Sequence, residues 1–87
     1  MPLSTFGKSE NENIMLYPNP ADDEFMVFLG PNTKTLIRLY DLNGKLIYFK
    51  DTSQNSEVIN SSRLSNGIYF LHINGENNAV KKIIIKH

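Results

Sequence analysis

Apolar residues along this chain fall in short runs, each stopped by proline, glycine or small polar residues. Runs of that kind, with turn signals between them, point to an all-β sandwich or barrel. No stretch repeats apolar positions at the helical period. The first run is "IMLY", Ile14 to Tyr17, stopped by "PNPADD", where Pro18 and Pro20 lock φ and remove two amide donors. "EFMVFL" follows and alternates, with Phe25, Val27 and Leu29 on one face and Glu24, Met26 and Phe28 on the other. "GPN" at 30–32 is a turn. "KTLIRLYD" then runs through Asn43-Gly44 into "KLIYFK". Asn-Gly between alternating apolar residues predicts a tight hairpin, and a two-residue type I′ turn there needs φ > 0 twice.

Beyond the hairpin, "TSQNS" (52–56) reads as a polar loop, "EVIN" as a short strand and "SSRLSNG" as a connection. "IYFLHI", Ile68 to Ile73, reads as a central strand covered on both faces. "NGENN" turns the chain, and "AVKKIIIK" closes it. The total is about seven strands with negligible helix. Phe25, Val27, Leu29, Ile37, Leu39, Leu71 and Ile83 are the expected core. In the closing strand Ala79, Lys81, Ile83 and Ile85 share the core face, while Val80, Lys82, Ile84 and Lys86 share the outer one. A strand this apolar at an edge invites pairing with other chains, and its lysines are the usual guard against that.

Composition narrows the picture. The chain has 87 residues, enough for one small domain. Residues 1–13 are polar and read as a linker, leaving 14–87 as the folded unit, about 74 residues and near the lower limit for a core without staples. There is no cysteine, which excludes disulfides and Cys-based zinc sites. Lysine plus arginine equals aspartate plus glutamate, so net charge gives no support for nucleic-acid steering. No apolar run is long enough for a membrane span, and the beginning lacks a signal peptide's pattern, so an exported parent would be longer than this chain.

Candidate chemistry is sparse. No cysteine nucleophile exists, and neither histidine, His72 or His87, falls near a plausible serine and aspartate. Catalysis is therefore not expected. His72 reads as a half-exposed strand residue and His87 as a mobile end. Asp22 to Glu24 lack the spaced oxygen ligands of a calcium loop, so no metal or other cofactor is expected. Gly44, Gly67 and Gly75 each follow asparagine and read as turn glycines rather than a phosphate cradle, since no helix follows them. Asn60 begins a glycosylation sequon, a pattern too common to carry weight. Tyr17, Tyr40, Tyr48 and Tyr69 admit a sugar-binding face, although strand tyrosines at core margins are the more ordinary arrangement.

Four stretches together resemble one family. "YPNPADDEF", with Tyr17, Pro18, Asn19 and Pro20, resembles the opening of the C-terminal sorting domains of the type IX secretion system of Bacteroidetes. "LYDLNGKLIY", with Gly44, resembles their middle hairpin. "LSNGIYFLHI", with Gly67 and Tyr69, resembles their L-x-x-G-x-Y-x-L-x-I strand. "KKIIIKH" resembles their closing basic-apolar strand, except that His87 stands where many members stop at Lys or Arg.

The resemblance implies a seven-stranded Ig-like antiparallel β-sandwich at the end of an exported protein. It further implies a sorting signal that directs an N-terminally fused passenger from the periplasm through the outer-membrane translocon. A sortase-like cysteine protease then removes the signal, and the passenger stays at the cell surface or outside the cell. Neither nucleic acid nor a small-molecule substrate is implied as a partner. Recognition by the translocon is expected at the closing strand, Lys81, Lys82, Ile83, Ile84, Ile85 and Lys86, through strand addition or pockets for alternate side chains. Cleavage is expected within 3–13. A carbohydrate-binding sandwich and an Ig-like structural spacer are the competing readings.

Overall fold

The computed structural model describes residues 14–30, 34–75 and 78–87. The expected linker at 1–13 lies outside them, as do Pro31 and Asn32 of the "GPN" turn and Glu76 and Asn77 of "NGENN". Among the described residues seven strands form: β1 (Met15–Tyr17), β2 (Glu24–Phe28), β3 (Thr35–Tyr40), β4 (Leu46–Thr52), β5 (Ser56–Asn60), β6 (Gly67–Asn74) and β7 (Ala79–Ile85). They make two antiparallel sheets, β1-β2-β5 and β4-β3-β6-β7. Thr52 and Ser56, expected in the loop between β4 and β5, extend those strands instead and leave only 53–55 as connection.

Strand alternation builds the core between the sheets. Phe25, Val27 and Ile59 face inward from one sheet, and Ile37, Leu39, Leu71, Ile73, Ile83 and Ile85 from the other. All seven residues expected in the core are buried, Leu39, Leu71 and Ile83 completely. Full burial of one such side chain is worth about 1.5–3 kcal/mol, so the inward row of β7 holds a large share of a small domain's stability.

Glu57 also points inward, opposite Val27, and is 9% exposed. Its carboxylate accepts from the Thr52 hydroxyl and from Lys50 Nζ at 3.0 Å. The Thr52 hydrogen bond, then the Lys50 ammonium, hold its carboxyl below the usual range against the opposing effect of burial.

The hairpin at Asn43-Gly44 forms, but by a different turn. Gly44 donates to Asp41 O at 3.0 Å, and among the described residues only glycines have positive φ, with Gly44 at 84°. The loop is therefore a type I turn followed by a left-handed glycine, not type I′. Asp41 selects it: its Oδ1 accepts the amides of Asn43 and Lys45, both at 2.9 Å. The longer loop inserts a register shift, so that Tyr40 pairs with Leu46 while Leu39 pairs with Tyr48.

β6 is central in its sheet, between β3 and β7, but only one of its faces is covered. Tyr69, Leu71 and Ile73 are buried, whereas Ile68, Phe70 and His72 are half-buried on the outer face. Two layers give each sheet one inner face, and β-propensity makes the outer one apolar as well.

Candidate functional site

The closing strand alternates as its sequence requires. Ile83 and Ile85 are in the core, Lys81 is half-buried on the same face, and Lys82, Ile84 and Lys86 point outward. Of the six residues expected to be read by a translocon, the folded domain withholds Ile83 and Ile85.

β7 is the edge of its sheet, yet the latter half of that edge is occupied. Asn19 Nδ2 donates to Lys82 O at 3.1 Å, and Ile84 N donates to Asn19 Oδ1 at 3.0 Å. One residue pair on, Ala21 N donates to Ile84 O at 2.7 Å and Lys86 N donates to Ala21 O at 2.8 Å, a parallel bridge. The "PNPA" stretch between β1 and β2 thus serves as a strap across the outer edge of β7. Its prolines lack the amides a strand would use, and the Asn19 carboxamide, with a donor and an acceptor, replaces a peptide group. Two prolines flanking one asparagine were the available sign, and sequence reasoning took them as turn residues only.

His87 is fixed rather than mobile. Its amide donates to Asn66 Oδ1 at 2.9 Å, Nδ1 lies 2.7 Å from Asp22 Oδ1, and Nε2 lies 2.7 Å from Leu64 O. A carboxylate and a carbonyl both accept, so the geometry suits the doubly protonated ring, with both nitrogens donating. Asp22 first, then the Leu64 carbonyl, hold its pKa above the ordinary histidine value. Asp22, Asp23 and His87 bring potential ligand atoms within 4.8 Å of one another, all exposed. With both nitrogens committed, this cluster is a clasp between the end of β7 and two loops rather than a ligand set.

The remaining motif residues divide by role. Tyr17 is exposed, with its hydroxyl 3.4 Å from Met26 Sδ, and Pro18 and Pro20 are exposed beside Asn19. Gly44 makes the hairpin turn. Gly67 begins β6 opposite Ile85, and Tyr69 is buried with its hydroxyl donating to Ser65 O at 2.8 Å. The four tyrosines do not assemble a platform. Tyr17 is on the outer face of the three-stranded sheet, Tyr40 on the outer face of the four-stranded one, Tyr48 against the core margin and Tyr69 in the core.

The outer face of the four-stranded sheet carries a groove that the alternation pattern did not single out. Tyr40, Leu42, Phe70, His72 and Val80 line it with Asp41 and Gly44 of the turn, an open depression of about 370 Å³. The Tyr40 and His72 rings meet edge to face at 4.7 Å. Register puts Arg38 beside His72 and Lys82 beside Phe70 on that same face. Among the described residues, neither cation forms a salt bridge.

A small sandwich of seven antiparallel strands in two sheets, with its first interstrand segment strapped over its last strand, defines an Ig-like β module. A family model for the secretion system C-terminal sorting domain matches residues 15–86, and the chain belongs to that family. It is a sorting domain of type IX secretion, a class that accompanies exported proteins to the cell surface or beyond. An endo-acting ulvan lyase of Formosa agariphila is 26% identical over 77 residues, covering 85% of this chain and 15% of that protein. The chain thus spans a small part of that relative's length.

Among solved structures, PorZ, a surface component of the type-IX secretion system of Porphyromonas gingivalis, superposes with a TM-score of 0.75. The match is at 17% identity over 95% of this chain and 13% of PorZ. A DUF3244 family protein with an immunoglobulin-like β-sandwich fold from Bacteroides vulgatus gives 0.64 at 17% identity, covering 83% of this chain and 81% of its own. Those two likenesses establish the fold.

Proposed function

We propose that this domain is a non-catalytic address label. It directs a fused passenger across the periplasm to the outer-membrane translocon and is then removed by a sortase-like cysteine protease. The observation that carries the reading is the family match over nearly the whole described fold. Two structural features agree with it. The charged outward row of β7, Lys82, Ile84 and Lys86, is held in a fixed presentation by Asn19, Ala21 and the His87 clasp. Paired strands withhold their backbone from proteases, so removal belongs in residues 3–13 or upstream rather than inside the sandwich.

The strap modifies how the signal is read. Strand addition beside Lys82 to Lys86 would first have to displace Asn19 and Ala21. Recognition of the folded domain therefore runs through outward side chains, with lysines that steer an acidic receptor.

The test fuses the domain behind a periplasmically exported reporter in a bacterium with type IX secretion and in a translocon-deficient strain. The reporter should reach the surface only in the first, and mass spectrometry of the released reporter should place its new end before Ile14. Equal surface display in both strains would refute the sorting role. A cut between two strands would refute the proposed site of removal.

A further inference from the structure

The four-stranded sheet has two outer edges, β7 and β4, and the fold treats them differently. Asn19 and Ala21 strap the edge at β7. The edge at β4 is open: among the described residues, no hydrogen bond from outside the sheet reaches the backbone of Ile47, Phe49 or Asp51. β4 is seven residues long and contains no proline, and its register shift lies at the hairpin end, ahead of Tyr48. Phe49 is 64% exposed and Ile47 36%. Lys50 does not guard this edge, because it is held by Glu57 on the inner side. A long apolar edge strand left in this condition is a template for pairing.

Alternation of hydrogen bonds decides which groups that edge presents. β7 turns the backbone of Lys82, Ile84 and Lys86 toward the strap. Its odd-numbered residues therefore bond β6, the even-numbered residues of β6 bond β3, and the odd-numbered residues of β3 bond β4. In β4 the groups of Tyr48 and Lys50 are thus spent on Leu39 and Ile37, and those of Ile47, Phe49 and Asp51 point away from the sheet.

We infer that β4 is the pairing edge for a second copy of this chain, antiparallel and two-fold symmetric about Tyr48. In this register Ile47 and Phe49 form hydrogen-bonded pairs with the partner's Phe49 and the partner's Ile47, on either side of the two facing Tyr48 residues. At each end Lys45 of one copy stands against Asp51 of the other. Both are exposed and belong to no ion pair among the described residues. Arg38, diagonal to Asp51 across β3 and β4, forms no ion pair with it.

The outward backbone groups admit only registers that differ by two residues. Moved one way, Phe49 faces itself and Ile47 meets Asp51. Moved the other way, Ile47 faces itself and Phe49 meets Lys45. A further step sets Lys50 against Lys50. The register about Tyr48 alone combines apolar cross-strand pairs with opposite charges at both ends, so the strand is its own complement. Pairing joins two four-stranded sheets into one. The contact is narrow, in the class of interfaces that associate weakly and reversibly, and the dimer grows with concentration.

The experiment follows the 87-residue chain by sedimentation velocity over a rising concentration series, with the thermal midpoint of each variant measured alongside. The parent chain should pass reversibly from monomer to dimer. Phe49→Lys removes both apolar pairs at an exposed site and should weaken association about tenfold or more with the fold intact. Lys45→Glu should weaken it less, and adding Asp51→Lys should restore it, because the swap rebuilds opposite charges at each end. The chain has no cysteine of its own, so introduced thiols report the register. An Ile47→Cys chain mixed with a Phe49→Cys chain should cross-link to each other faster than either does to itself.

A monomer at every concentration would overturn the pairing, as would a dimer that the folded Phe49→Lys chain leaves intact. Fastest cross-linking of Phe49→Cys to itself, or a charge swap that fails to restore association, would overturn the register. Faster cross-linking through Val80→Cys would move the contact to β7 and overturn the choice of edge. The pairing is independent of the sorting reading, which each of these outcomes leaves in place.

Discussion

Asn19 is bound to the edge of β7 on both sides of its carboxamide, giving a hydrogen to Lys82 O and taking one from Ile84 N. A single side chain thus does the work of a neighbouring strand's peptide group, on a segment whose two prolines could not. The contact joins the loop between β1 and β2, in one sheet, to the last strand of the other.

Asn19→Ala should therefore loosen the end of β7 before it unfolds the domain. Two exposed hydrogen bonds, each worth about 0.5–1.5 kcal/mol net, are lost together. Hydrogen exchange of the Ile84 amide should accelerate strongly, while the Leu71 amide, in the middle of β6, should slow-exchange as before. Unchanged protection at Ile84 would show that the strap contributes nothing to the edge.

The two faces of β7 should respond unequally to truncation. Ile83→Ala, at a fully buried site, should cost about 2–5 kcal/mol. Val80→Ala, at 60% exposure, should stay within about 0.5 kcal/mol. Urea unfolding of both variants measures the difference, and similar midpoints would contradict the strand's orientation.

Charge reversal on the outward face separates address from scaffold. Lys82→Glu with Lys86→Glu leaves the buried isoleucines in place and should change stability by about 0–1 kcal/mol, because the lysine side chains are exposed. Secretion of a fused passenger should fall all the same. Normal secretion would remove the lysines from the recognition surface, while glutamates would still guard the edge.

Two ionisable groups should bracket the pH range of maximal stability. Glu57 has its folded pKa depressed below its reference of 4.5, so its contribution is complete above that value and lost as pH falls through the folded pKa. His87 is raised above 6.5, so its contribution is complete below that value and lost as pH rises through the folded pKa. Glu57→Gln should flatten the acid limb of thermal midpoint against pH, and His87→Ala the alkaline limb. A variant that left its limb unchanged would contradict the corresponding contact.

Gly44→Ala tests the turn. No atom lies within 4 Å of an added Cβ, so the cost is conformational alone, about 1–2 kcal/mol for a left-handed alanine. Gly44→Asn should cost less, since asparagine tolerates that region. Equal destabilisation would argue against a left-handed position.

Much of the architecture is written locally. Alternation in "EFMVFL" and "AVKKIIIK" decides which residues face the core, because strand side chains alternate whatever the strand pairs with. The order of turn signals sets the number of strands, and the four motif stretches point to the family. Even within this local layer the hairpin turn was misread, since Asn43-Gly44 allows type I′ until the Asp41 carboxylate is placed over the loop amides.

What only the tertiary structure decided is who covers what. That Asn19 would meet Ile84, or Asp22 meet His87, has no local sign, because each pair is separated by 65 positions and is brought together by the packing of two sheets. The burial of Glu57 depends on Lys50 and Thr52 arriving from the opposite sheet. The outer groove exists only where β3, β6 and β7 lie side by side beneath the turn. Alternation assigns each strand its two faces, but whether a second layer covers a face depends on how the sheets stack, and that is a long-range property of the whole chain.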